Sequence, residues 1–265
     1  MAGAERSDAA REGRGRLSSV AEVWGEGDYE AIVPHFSSIY DELVARLAPR
    51  PGERWLDIAC GTGEIALRAA RAGAAVSAVD IAPRMIERAQ AKADAEGLDI
   101  SFAVGDCMHL PYSDDSFDVC VSCFGLIFGS DSQRVASELK RVCRSRVGLT
   151  AWHEVPSLAE IYARFGRERV GGDPAMWADN ADELLGDTFD VAVHERTWHL
   201  TAASGEDAYA FVTKTFPPLK AYVATLDDTT RDGLRAALVE YWEGQRTANG
   251  VSDPRPYALV IGTRA

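Results

Sequence analysis

The chain has 265 residues, 46% of them hydrophobic, enough to bury one large core. Its 41 acidic against 28 basic side chains leave a net charge of −13, which argues against a phosphate-rich partner, since nucleic-acid binders present clustered cations. No apolar run approaches the length needed to span a membrane, so a cytoplasmic enzyme is expected.

In chain order, residues 1–18 mix Glu5, Asp8 and Glu12 with Arg6, Arg11, Arg14 and Arg16 around no apolar core, the pattern of a disordered tail and not of a signal peptide. A single domain is expected over 19–265. Between Tyr29 and Leu47, Ile32, Phe36, Ile39, Leu43 and Leu47 recur at helical spacing, which predicts a helix covering a sheet. Trp55, Leu56, Ile58 and Ala59 then suit a buried parallel strand, and Glu64 to Ala72 a crossover helix closed by Gly73. Ala75 to Val79 reads as the second strand, with Asp80 at its carboxyl end.

Between the first strand and its helix lies Cys60-Gly61-Thr62-Gly63. Glycines here let backbone N–H groups approach a ligand, and an acid some 17 residues after Gly63 can accept bonds from two ribose hydroxyls, so an adenosine derivative is expected. Gly61 to Ala66 also satisfies a dinucleotide pattern, which keeps an NAD-dependent oxidoreductase as an alternative. Asp57 weighs against it: a carboxylate beside the glycine loop repels a pyrophosphate but complements the ammonium and sulfonium of S-adenosylmethionine. Ile100 to Val104 is a third strand, followed by Asp106, suited to the adenine amine, and Cys107, whose N–H suits a ring nitrogen. Val119 to Phe124 is the fourth.

Asp57-Ile58-Ala59-Cys60-Gly61-Thr62-Gly63, Val79-Asp80, Gly105-Asp106, Leu110-Pro111-Tyr112-Ser113-Asp114 and Ser116-Phe117-Asp118-Val119 together resemble the class I S-adenosylmethionine-dependent methyltransferases, and most closely the ubiquinone/menaquinone C-methyltransferase group. The resemblance covers about 29–152. It implies a Rossmann-like α/β fold, a seven-stranded, mostly parallel sheet with helices on both faces; this chain's own late helices are expected to add a helical cap inserted among the late strands. It also implies that Asp57, Cys60, Gly61 and Gly63 hold the methionyl part, Asp80 the ribose, Ile81 and Met85 the adenine face, and Asp106 and Cys107 the adenine edge. Ser122, Cys123 and Phe124 would line the floor beneath the methyl group. Related enzymes often close the preceding region over the methionyl end, which makes Trp24, Tyr29 and His35 candidate contacts. The family often has a glycine pair before its fifth strand where this chain has Arg144-Ser145-Arg146, so that turn is expected to differ.

Val135, Leu139 and Val142 mark a helix, and Val147 to Trp152 a fifth strand. The cluster Arg141, Arg144 and Arg146 is read as cations at a helix end. Beyond Trp152 the pattern changes. Phe189 to Leu200 reads as a long strand, Tyr257 to Ile261 as the last, and the stretches 155–187 and 203–250 as cap and substrate-binding insertions. Among their aromatics, Trp177, Phe211, Phe216, Tyr222 and Trp242 could wall a pocket for a small, largely apolar or aromatic acceptor. Cys120 and Cys123, three apart on a strand, point to opposite faces and predict packing, with no metal. His153 and Glu154, at the carboxyl end of the fifth strand, are the candidate catalytic pair.

The function expected is methyl transfer from S-adenosylmethionine to a small molecule by in-line displacement, in specialised metabolism. A protein of this fold that binds the cofactor without transferring methyl is the alternative. The partner expected is the small-molecule acceptor, with no nucleic acid and no membrane, and a homodimer is left open.

Overall fold

Strand β1 (Arg54–Ile58) is apolar on both faces, with Trp55, Leu56 and Ile58 all buried, and it lies in the interior of the sheet. The computed structural model describes residues 20–25, which are helical (α1), 28–167 and 178–265. The expected N-terminal tail and Trp177 lie outside the described residues, as do residues 168–176 of the expected 155–187 insertion. Among these residues one sheet runs β3-β2-β1-β4-β5-β8-β6, where β2 is Ala75–Asp80, β3 Ile100–Val104, β4 Phe117–Cys123, β5 Cys143–Trp152, β6 Phe189–Ala202 and β8 Gly250–Arg264. The five from β3 to β5 are parallel, and β8 runs antiparallel to both neighbours. A two-residue strand β7 (Arg246–Thr247) pairs with β8 beside these seven.

Crossover helices cover both faces. Helices α2 (Ser37–Leu47), α3 (Glu64–Arg71) and α4 (Pro83–Glu96) close one cluster through Ile39, Leu43, Leu47, Ile65, Leu67 and Ala93. Helices α5 (Ser132–Val142) and α7 (Ala181–Leu185) close the other through Val135, Leu139 and Leu184. Each fully buried leucine contributes roughly 1.5–3 kcal/mol. Cys120 packs into one face and Cys123 against the other, as their spacing requires.

Three expectations are corrected. The stretch 29–47 is not one helix: two 3-10 turns, Tyr29–Ala31 and Val33–Phe36, precede α2, because Pro34 lacks the N–H that a continuous helix needs. β5 begins at Cys143, directly after α5, with one extra residue bulged against Phe117–Val119. The arginines there neutralise acids: Arg144 meets Asp118, Arg146 meets Glu53, and Arg141 meets Glu138 at 2.7 Å. β8 is also far longer than Tyr257 to Ile261. The Pro256 carbonyl accepts from His153 N, so the proline nitrogen faces the side where β5 has ended and breaks no ladder.

The long β6 and β8 run on past the sheet as a two-stranded ribbon, pairing Thr197 with Pro256 through to Ala202 with Val251. Helices α6 (Pro156–Arg164), α8 (Gly205–Thr215), α9 (Pro217–Ala224) and α10 (Asp228–Glu243) pack around it in a third cluster centred on Leu219, Leu234, Leu238 and Trp242. Ser204 and Asp227 cap α8 and α10 by accepting from Asp207 N and Thr230 N. Asp253, fully buried on β8, anchors this cap by accepting from Tyr241 Oη at 2.8 Å, Trp242 Nε1 at 3.0 Å and Arg255 Nε at 2.7 Å.

Candidate functional site

The strand order reverses between β1 and β4, and a ligand in an open α/β sheet sits at the carboxyl end of such a switch point. There a pocket that opens to solvent is lined by Tyr29, Tyr40, Asp57, Ala59, Cys60, Gly61, Thr62, Glu64, Ile65 and Cys123. The backbone around it departs from ordinary conformations. Gly61 and Gly63 have φ of 53° and 85°, and a Cβ on Gly63 would lie 3.1 Å from the Ala89 side chain. Ala59 and Phe124, which follow β1 and β4, also take positive φ, a strained state that clusters at functional sites.

Asp57 is 2% exposed, and its Oδ2 accepts from Ala66 N at 3.0 Å. Burial, with Asp80 and Glu64 nearby, pushes its carboxyl up to about 8. Asp80 supports the glycine loop, accepting from Gly61 N and Ala82 N, each at 2.8 Å. Burial raises it, and those two bonds oppose the rise. Burial also works to raise Glu64, but hydrogen bonds from Arg68 and Lys92 outweigh it and hold the group below the usual carboxylate range. Burial raises the Tyr29 and Tyr40 phenols and the Cys60 thiol, and pushes the Cys123 thiol up to about 12, so these line the cavity as neutral groups.

Asp106 accepts from Met108 N with Oδ1, whereas its Oδ2 is buried without a hydrogen-bond partner. A buried orphan acceptor costs stability unless a ligand donates to it. With the glycine cradle and the acid at the end of β2, it fits an adenosine whose exocyclic amine reaches Oδ2. Ile81 and Cys107 are half-buried and Met85 is 2% exposed. Ser122 is 1% exposed and its hydroxyl is a second buried atom without a partner.

The aromatic candidates divide. Trp24 meets Phe128 at 4.7 Å, Tyr29 at 6.1 Å and Phe216 at 6.2 Å between ring centroids, and His35 meets Phe211 at 4.8 Å. Thus the N-terminal segment, the turn after β4 and the cap converge at the sheet's carboxyl edge. Tyr222 and Trp242 instead face the cap's interior, donating to Phe165 O at 2.5 Å and to Asp253. Phe124, expected on the floor, stacks on Trp152 with centroids 3.9 Å apart, and around this pair stand Phe36, Trp198 and Tyr257, which carried no signal beyond ordinary core patterning. Tyr40 was equally hidden, since it sits within the apolar stripe of α2.

His153 and Glu154 do lie at the end of β5, but neither lines the cavity. The His153 Nε2 is 2.7 Å from Glu195 Oε2, and its Nδ1 is 3.4 Å from Asp179 Oδ1. His109 is exposed, with Nδ1 3.7 Å from Asp106 Oδ2. Among the described residues no helix is long and apolar enough to cross a membrane.

These features define an α/β fold with a glycine-lined pocket at its switch point, and comparison with known proteins supplies the family. The model of the methyltransferase domain matches residues 56–146. An uncharacterized protein of Mycobacterium tuberculosis is 36% identical over 188 residues, 67% of this chain and 69% of that one. The 27-O-demethylrifamycin SV methyltransferase of Amycolatopsis mediterranei is 28% identical over 256 residues, 92% of each chain. A ubiquinone/menaquinone biosynthesis C-methyltransferase of Ruegeria is 39% identical over 130 residues, 46% of this chain and 52% of that protein. The solved structure of the YcgJ protein of Bacillus subtilis shares the fold, with a TM-score of 0.57 at 22% identity over 86% of this chain and 98% of that one. The chain belongs to the class I S-adenosylmethionine-dependent methyltransferases.

Proposed function

We propose that the chain transfers a methyl group from S-adenosylmethionine to a small, largely apolar or aromatic acceptor, in specialised metabolism. The observation that carries this reading is the convergence of Trp24, Tyr29, Phe128 and Phe216 from three separate segments at the carboxyl edge of the sheet. Rings held edge to face offer apolar walls and no charge to a substrate. The rifamycin-modifying relative, similar along nearly its whole length, supports an acceptor of this class.

When bound, the cofactor supplies an electrophilic methyl on a sulfonium. Asp57 and the loop residues Cys60, Gly61 and Gly63 would hold its methionyl end, Asp80 its ribose, Ile81 and Met85 the adenine face, and Asp106 and Cys107 the adenine edge. Ser122, Cys123 and Phe124 would form the floor. The chain's remaining work is to align the acceptor at about 3 Å and to exclude water. We assign the second task to the segment 20–36 and to the cap, with His35 and Phe211 closing the seam between them; residues 155–187 and 203–250 then act as substrate-binding insertions. His153, its ring oriented by Glu195, is the base we assign to an acceptor that must lose a proton, with Glu154 beside it.

The test is release of S-adenosylhomocysteine over a panel of neutral aromatic, neutral aliphatic and charged acceptors. Turnover is expected with neutral, ring-containing acceptors. Turnover confined to charged ones would overturn the acceptor class, and product formation without S-adenosylhomocysteine would favour the alternative of cofactor binding without methyl transfer.

A further inference from the structure

The glycine loop is joined to the N-terminal segment by one side chain from α4. Lys92 Nζ donates to Glu30 Oε2 at 2.8 Å, to Glu64 Oε1 at 2.9 Å and to Thr62 Oγ1 at 3.1 Å. An ammonium has three N–H donors, and all three are used. Thr62 belongs to the glycine loop, Glu64 begins α3, and Glu30 lies in the 3-10 turn that carries Tyr29. The second oxygen of Glu64 accepts from Arg68 at 2.7 Å, and Arg68 in turn reaches Asp41 at 2.7 Å and Ser37 Oγ at 3.1 Å, so the network extends into α2.

Its placement gives it a consequence for ligand exchange. Tyr29 is a wall of the cavity, and its Cε1 lies 3.5 Å from where a Gly61 Cβ would stand. Ligand exchange past this wall requires the turn that carries Tyr29 to shift. The rest of the segment is pinned elsewhere: Asp28 pairs with Lys214 of α8 at 3.1 Å, and the His35 carbonyl accepts from Trp198 Nε1 at 2.9 Å. Of these ties, the one through Lys92 alone reaches the glycine loop.

We propose that Lys92 is a positioning residue for the cofactor: through Glu30 and Thr62 it latches Tyr29 over the methionyl end, and opening of this latch sets the rate of cofactor exchange. The proposal rests on the reading that the cavity holds S-adenosylmethionine. Lys92 and Glu30 are partly exposed, with 28% and 38% of their side-chain surface accessible, so the latch is weak enough to open.

Two measurements test it. Amide hydrogen exchange of residues 28–36 is followed in the ligand-free protein, and the dissociation rate of S-adenosylhomocysteine is followed by stopped flow, for Lys92→Met, Glu30→Gln, the double variant and Lys92→Arg. Both single variants are expected to deprotect 28–36 and to speed release about threefold to fivefold, the range of a partly exposed ion pair. The double variant should be no faster than the faster single one, and Lys92→Arg should retain most of the parent's behaviour. Unchanged protection and release in both single variants would overturn the latch, as would effects that multiply in the double variant. If the parent binds no S-adenosylhomocysteine, the proposed function fails, while the ligand-free exchange still decides the latch.

Discussion

Asp57, Asp80 and Asp106 sit at successive strand ends, yet the structure gives them different electrostatic work. Asp57 holds its proton up to about pH 8 because it is buried beside two other acids. A methionyl ammonium favours the carboxylate, so binding at lower pH must expel that proton. Affinity for S-adenosylhomocysteine is therefore expected to rise between pH 6 and 8, by up to about tenfold per pH unit, and to level off above 8. Calorimetry in buffers of different ionisation enthalpy should register the proton released, and Asp57→Asn should flatten the profile. The same raised carboxyl makes the ligand-free fold bind more protons than the unfolded chain, so this group's contribution to stability falls as pH climbs from about 4 to 8. Asp80 holds the loop, and under the proposed function it holds the ribose as well. Its replacement by alanine is expected to weaken S-adenosylhomocysteine by about 1–3 kcal/mol, and unchanged affinity in a titration would remove it from the site. At His153 the geometry predicts a dyad: once an acceptor is known, His153→Ala and Glu195→Gln should lower turnover with cofactor affinity intact. Full turnover from pH 6 to 9 in both, and in Glu154→Gln, would leave catalysis to positioning alone.

At the scale of elements, the glycine loop and the cap ribbon carry the strongest expectations. Gly61 has a left-handed φ and sits against Tyr29, so Gly61→Val should cost about 1–2 kcal/mol in backbone strain and displace the ring that closes the cavity. Tight S-adenosylhomocysteine binding by this variant, measured by titration, would show that the loop does not touch the ligand. Asp253→Ala removes the buried acid that joins β8 to α10 and leaves Arg255 and two aromatic donors unmatched, a loss of about 3 kcal/mol that denaturant unfolding would register. The two elements also mark what local sequence can reveal. The motif from Asp57 to Gly63 and the acids at Asp80 and Asp106 were legible because apolar runs bracket them and glycine has few other uses there. The extension of β8 was not, because Pro254 and Pro256 read as breakers until the strand shows their nitrogens facing the side where β5 has ended, away from the ladder with β6. Likewise the apolar stripe from Ile32 to Leu47 suggests one helix, and the single Pro34 within it is what divides the segment. Long-range partnerships such as Lys92 with Glu30, 62 residues apart, leave no local trace at all.

Across the whole molecule, a parallel sheet presents a cofactor cradle at its switch point, and the antiparallel β6–β8 ribbon carries a separately packed cap to the same edge. The N-terminal segment bridges the two, held by Lys92 on one side and by Lys214 and Trp198 on the other. Aromatic rings from all three regions meet where an acceptor would lie. On the proposed function, recognition of the common cofactor would rest on the sheet, and recognition of the acceptor on the N-terminal segment and the cap. Calorimetric titration of the intact protein with S-adenosylhomocysteine, with NADH as the comparison ligand, tests the central claim most directly. Saturable one-to-one binding of S-adenosylhomocysteine and none of NADH is the predicted result; binding of NADH in its place would contradict the account.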